Sequence, residues 1–357
     1  MPMRSADMHN ITKRRRHICV LCLTMLIASS AAAVAGDWPR FRGPGGSGVA
    51  SPAEAAGVPV TWDATTNIAW KTPMPGPGAS SPIVYRDRVY ITCYTGYGLS
   101  ENAPGDMSQL KRHLLCVDAD SGRIRWTATR DIQNTDHTFS SFVVRHGYAS
   151  HTPVADETGV YAYFGASGLV AYTHEGEVRW AATCGKSAIN FGSASSPIIH
   201  KGLVIVNADP ESGAIIAFNK SDGQEAWRYG PDHDPNTWST PIIVSAQEAG
   251  GDADELICYG KRGEVIGLNP MTGDVLWTCT TPIKKYQCPS PVSHAGVAYL
   301  IGEHPGAAVA VRAGGRGDVT GDRQLWHLAK GSVVGSPIYH DGRLYWAKED
   351  GVRFYCA

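Results

Sequence analysis

The sequence predicts an all-β protein, a β-propeller of four-stranded antiparallel blades. Three observations carry that prediction. A tripeptide of hydroxyl residue, proline and β-branched residue occurs six times: Ser81-Pro82-Ile83, Thr152-Pro153-Val154, Ser196-Pro197-Ile198, Thr240-Pro241-Ile242, Ser290-Pro291-Val292 and Ser336-Pro337-Ile338. Its prolines are 71, 44, 44, 50 and 46 residues apart. After each tripeptide come short apolar segments between glycine turns, such as Leu203-Val204-Ile205-Val206 after Lys201-Gly202. Units then close on a glycine turn and a tryptophan: Gly122…Trp126, Gly176…Trp180, Gly223…Trp227, Gly273…Trp277 and, more loosely, Gly321…Trp326. Four short strands in a repeat of this length describe a propeller blade, which buries both faces only by packing against its neighbours around an axis.

Each element has a physical reason to sit where it does. Proline suits the first residue of the innermost strand, where a missing N–H is tolerated. Glycine supplies the positive φ of the tight hairpins. The closing tryptophan suits an outer strand wedged between blades, where its large apolar area counts most. Trp126, Trp180, Trp227 and Trp277 are therefore expected to be mostly buried. Trp326 and Trp70 are expected to dock similarly. The long first interval holds an insertion rich in turn formers, from about Tyr94 to His113.

The ends depart from the repeat. Lys13-Arg14-Arg15-Arg16, an apolar run from Ile18 and the small residues Ala33-Val34-Ala35 have the form of a secretory signal peptide over 1–35. An extension follows over 36–66, then the propeller over 67–357. The mature chain is expected to be exported, with no membrane span once the signal is cleaved. Phe354-Tyr355-Cys356-Ala357 stops where a sixth glycine and tryptophan are due. Two readings stay open: Asn67 to Lys71 completes the last blade and closes a six-bladed ring, or the six repeats are part of a larger one.

Composition bounds the chemistry. Hydrophobic residues are 43% of the 357, which excludes a disordered chain. Net charge is −1, and the first 35 residues hold +4 of it, leaving the remainder at −5. Such an acidic remainder is a poor match for nucleic acid. Seven cysteines follow residue 35, scattered singly and without zinc spacing, and suit small buried hydrophobes. Gly43-Pro44-Gly45-Gly46-Ser47-Gly48 fits a dinucleotide fingerprint in letters only, because no helix is predicted after it. Gly185-Lys186-Ser187 lacks the first glycine of a phosphate loop, and Asp232-His233-Asp234-Pro235-Asn236 lacks the later ligands of a calcium loop. Arg316-Gly317-Asp318 is an adhesion-like tripeptide in a glycine-rich turn, and His146 and His151 want a third metal ligand.

The connections leading into the inner strands contribute Tyr148 and His151, Phe191, Asn236 and Trp238, Tyr286 and Gln287, and Ser332. Propeller geometry brings such connections together on one face. Aromatic and amide groups converging there suit a peptide or small polar ligand. No residue is assigned a catalytic or metal role. As a loop residue, Trp238 is expected to matter much less for stability than the docking tryptophans.

Cys116-Val117-Asp118-Ala119-Asp120-Ser121-Gly122-Arg123-Ile124-Arg125-Trp126 resembles the tryptophan-docking motif of PQQ-type, quinoprotein-like β-propellers. The stretches Ala217 to Trp227 and Gly267 to Trp277 resemble it too, whereas Ala171 to Trp180 is one residue short. Asp37-Trp38-Pro39-Arg40-Phe41-Arg42-Gly43-Pro44 is similar to the start of exported members. The resemblance implies a ring of seven or eight blades. It also implies one of two activities. Non-enzymatic members, including a lipoprotein that assists outer-membrane protein assembly, suggest an envelope binding or scaffold module without a cofactor. Its partner would be an envelope protein or small polar ligand. The alternative is a PQQ-dependent alcohol or sugar dehydrogenase using calcium. Those enzymes use an acidic base, calcium ligands, a stacked tryptophan and often adjacent cysteines, and no adjacent cysteines occur here.

Overall fold

Among the described residues, six sheets follow one another along the chain as antiparallel meanders, the blades of a β-propeller, one of them carrying an added parallel strand. The first consists of Ile83–Tyr85, Arg88–Thr95, Lys111–Asp118 and Ile124–Asp131. The next four span 154–182, 198–229, 242–280 and 292–328, and the sixth comprises Ile338–His340, Arg343–Ala347 and Phe354–Cys356. This computed structural model describes residues 36–357 except 187, 188, 190, 231–236, 252, 261, 262, 285, 304 and 305. The signal segment 1–35, Asn236 and the Asp232 to Asn236 motif lie outside the described residues.

The second strands are buried on both faces, as in Gly159–Tyr163 and Leu203–Ala208, because each blade is covered by a neighbour on either side. Outer strands carry a register shift just before the tryptophan in each of the first five blades. A bulge there bends the strand and re-aims the indole sideways. Five of the seven cysteines after residue 35 are buried, and all seven are free thiols.

The repeated hydroxyl links the blades. Thr152 Oγ1 accepts the Ser81 N–H at 2.9 Å, Ser196 Oγ the Thr152 N–H at 3.0 Å, and Thr240 Oγ1 the Ser196 N–H at 2.9 Å. Ser290 Oγ then accepts the Thr240 N–H at 3.0 Å, and Ser336 Oγ the Ser290 N–H at 2.9 Å. A residue before proline is held extended, and its N–H points across to the next blade rather than along its own sheet. Thr240→Val keeps the shape but leaves the buried Ser196 N–H without its acceptor. It should cost about 1–3 kcal/mol, read as a lower denaturant midpoint. An unchanged midpoint would show that the hydroxyl chain contributes nothing.

The tryptophans dock by one geometry. Trp70, Trp126, Trp180 and Trp227 donate their indole N–H to the carbonyls of Ala119, His174, Lys220 and Pro270, at 2.8 to 3.0 Å. Their rings lie on Gly122, Gly176, Gly223 and Gly273, where a Cβ would come within 2.5 to 2.7 Å of the indole. Trp126 is only half-buried, less than expected. Trp277 departs from the scheme: its N–H donates to Glu255 Oε2 at 2.7 Å. The glycine-rich insertion displaces the usual acceptor, and its Gly317–Asp318 strand pairs with Trp277 and Thr278 instead. Trp326 is half-buried against Tyr299, and a Cβ at Gly351 would meet no described atom within 4 Å, so no indole lies on it.

The strand pairing expected to close a six-bladed ring does not form among the described residues. Phe354–Cys356 is the last strand of a three-stranded sheet, and Asn67 to Lys71 is not a strand. Asn67 has a φ of 58°, outside strand geometry, and Trp70 and Thr72 are hydrogen-bonded to the first blade at Ala119 and Gly122. Another segment spans the blades. Trp38 pairs with Val84 of the first inner strand, and Pro39 O accepts the Ala155 N–H of the second at 2.9 Å. Gly46 approaches Ile242 of the fourth, and Arg42 donates to Pro337 O at the start of the sixth. A segment that reaches four inner strands in nine residues crosses the propeller axis.

Candidate functional site

The connections leading into the inner strands, with side chains from the adjoining strands and one hairpin, form two groups. The first is aromatic. Phe191 has its ring centroid 4.9 Å from Phe142, 5.4 Å from Trp238 and 5.6 Å from Tyr286. These four residues come from four successive connections between blades. Trp238 forms the floor: it is 7% exposed, its indole N–H donates to Gly192 O at 2.8 Å, and its backbone N–H donates to Gln287 O at 2.9 Å. Phe142 and Tyr286 form the rim, 49% and 36% exposed. The Arg145 guanidinium stands 5.6 Å from the Phe142 ring.

The second group is polar and buried. Arg112 pairs with Asp136 at 2.7 Å and donates to Tyr148 O and Ser167 Oγ. Glu211, in the short helix Asp209–Ser212, accepts from Tyr163 OH at 2.7 Å and bonds Ser193. His151 Nε2 meets Ser193 Oγ at 2.7 Å. His151, Ser193, Glu211 and Tyr163 are thus one hydrogen-bonded chain. It borders a cavity of about 30 Å³ that Arg112, Asp136 and Tyr148 also line. Burial pushes the Glu211 carboxyl up to about 7. Burial, helped by the Arg112 charge, holds the His151 imidazole down at about 3. Glu211 thus stays largely protonated below neutral pH, and His151 stays uncharged.

The expected ligand face is divided between these groups. Phe191, Trp238 and Tyr286 come together at the surface. Tyr148 and His151 lie beneath it on the cavity wall, Tyr148 packed edge-on against Tyr94 with centroids 5.4 Å apart. Gln287 is fully buried, and its backbone holds Trp238 and Thr237. Ser332 is buried and donates to Glu349. His146 is engaged by Ser150 Oγ at 2.7 Å and Phe191 O at 2.9 Å, which accounts for both ring nitrogens. Sequence reasoning missed Phe142, Arg112, Asp136, Ser193 and Glu211. Glu211 had one signal: with Asp209 it puts two carboxylates around Pro210, just before the glycine turn at Gly213.

The family described as outer membrane protein assembly factor BamB, PQQ_2, matches residues 110–356. The chain belongs to this family. Among solved structures, BamB from Moraxella catarrhalis is similar at a TM-score of 0.54 and 16% identity, over 81% of this chain and 75% of that one. A quinohemoprotein alcohol dehydrogenase from Pseudomonas putida HK5 is similar at 0.47 and 12% identity, over 77% and 56%. No curated protein matches. The likeness to BamB shows the propeller fold of this PQQ_2 chain.

The cavity's 30 Å³ has room for about two waters.

Proposed function

We propose that this BamB-family chain is an exported, non-catalytic binding propeller that receives an apolar segment of an envelope protein on its aromatic patch. The observation that carries the reading is the cluster of Phe142, Phe191 and Tyr286 over a sealed Trp238 floor. Aromatic side chains are rigid, so contacts to them lose little conformational freedom on binding, and such residues dominate protein–protein hot spots. Family membership supports a scaffold or assembly role. No cofactor is part of this reading.

A photo-crosslinking residue placed at Phe142 or Tyr286 should capture envelope proteins, while one at Val178, exposed on the outer strand Val178–Ala182, should not. Equal capture at all three positions would remove the patch as the site. Phe142→Ser with Tyr286→Ser should abolish capture and change the unfolding free energy by no more than about 0.5 kcal/mol per site. Adding PQQ and calcium should produce no stoichiometric absorbance change and no dye-linked turnover. Turnover would favour the dehydrogenase reading. Intact mass should place the mature N-terminus within two residues of Gly36.

A further inference from the structure

The axial segment carries two guanidinium groups with no carboxylate paired to them among the described residues. Arg42 is engaged by carbonyls, donating to Gly46 O at 3.2 Å, Ser47 O at 3.3 Å and Pro337 O. Arg40 differs. Its Nε is buried and has no partner among the described residues. No ion pair links either arginine to a carboxylate among those residues, although Arg112, Arg125, Arg228 and Arg353 all have one. The Arg40 guanidinium lies over Gly46, whose absent Cβ leaves room for it: a Cβ there would be 3.1 Å from Nη2. Glycine at this point of the Gly43 to Gly48 loop therefore seats an arginine, and the loop owes nothing to dinucleotide binding.

Burial lowers the Arg40 guanidinium to about 10, still charged at any physiological pH. A lysine in this position could shed its proton, but an arginine cannot. Arg40 as a whole is part-buried, but its Nε is shut off from water with no acceptor among the described residues, which costs stability.

We infer that Arg40 is the receptor for an oxyanion, a carboxylate or phosphate group, bound on the propeller axis. The guanidinium presents a planar fork of N–H donors matched to two oxygens of such a group. Holding it in place without a counter-charge lowers the ordering cost of binding at the expense of the unliganded fold. The site is separate from the aromatic patch, so its failure leaves the proposed function standing, and the reverse also holds.

The test compares thermal midpoints of the mature chain in chloride, phosphate and acetate at one ionic strength. In phosphate or acetate the midpoint should rise by about 3 °C over chloride near saturation, and the anion acting at the lower concentration identifies the chemical source. Arg40→Met should abolish the rise and, in chloride alone, unfold at a higher temperature than the parent. General exclusion of phosphate from protein surfaces acts on both proteins equally and cancels in the comparison. Arg40→Gln, closer in polarity, is the second variant. An equal rise in parent and variants would overturn the inference. So would a lower midpoint in chloride for both variants, or failure of both to fold, because Arg40 would then be a structural residue.

Discussion

Replacing Trp277 with alanine is expected to cost about 3–5 kcal/mol, at the upper end for a buried aromatic. Trp277 is 1% exposed, packs in the largest apolar cluster between the fourth and fifth blades, and covers Gly267 on its own sheet. The loss has a second part. The buried Glu255 carboxylate would lose its indole donor and keep only the Gly314 N–H and the exposed Arg316. Trp180 and Trp227 lack that polar liability and should lose somewhat less. The half-buried Trp126 should lose least of the four. Trp238 belongs with the costly group, contrary to the expectation from its place in a loop: its 7% exposure equals that of Trp227, and its indole N–H is bonded. Denaturant midpoints for the five alanine variants give the order directly. If Trp277→Ala lost no more than Trp126→Ala, the geometry at Glu255 would carry no energetic weight.

These cases show which parts of the structure the repeat made legible. The hydroxyl, proline, glycine and tryptophan positions recur because each blade solves the same packing problem, so their spacing reads directly as architecture. Even the inter-blade bonds were implicit: they span 71, 44, 44, 50 and 46 residues, the same intervals as the prolines. What occurs once left no such trace. Arg112 on the third strand of the first blade meets Asp136 from the connection to the second, and Trp238 is buried by Phe191 and Gly192 from another connection. The aromatic loop residues were readable as a group, but which of them face solvent depends on how far each connection folds back. Tyr148 was drawn inwards by Tyr94, Tyr97 and Phe139.

Glu211→Gln and His151→Asn should give the protein opposite pH dependences. The buried Glu211 carboxyl has its folded pKa raised from 4.5 to about 7. Its neutral form therefore contributes stability that is complete below 4.5 and is lost as pH rises towards 7, about 3 kcal/mol in all. His151 has its folded pKa lowered from 6.5 to about 3. Its neutral form contributes stability that is complete above 6.5 and is lost as pH falls towards 3, about 5 kcal/mol by the same conversion. Between about pH 4.5 and 6.5 the folded protein holds one proton more on Glu211 and one fewer on His151 than the unfolded chain does. The two slopes cancel there, so the parent protein should be nearly flat with respect to this pair. Glu211→Gln removes the first contribution, and the variant should lose stability as pH falls below 6.5. His151→Asn removes the second, and that variant should lose stability as pH rises from 4.5 to 7. Each slope should approach about 1.4 kcal/mol per pH unit, and the difference between the variants cancels every other titrating group. Denaturant midpoints at intervals from pH 4.5 to 7.5 measure it. Parallel slopes in the two variants would mean that Ser193 joins two groups that do not change charge on folding, and the polar cavity would then be only a hydrogen-bonded seam between the second and third blades.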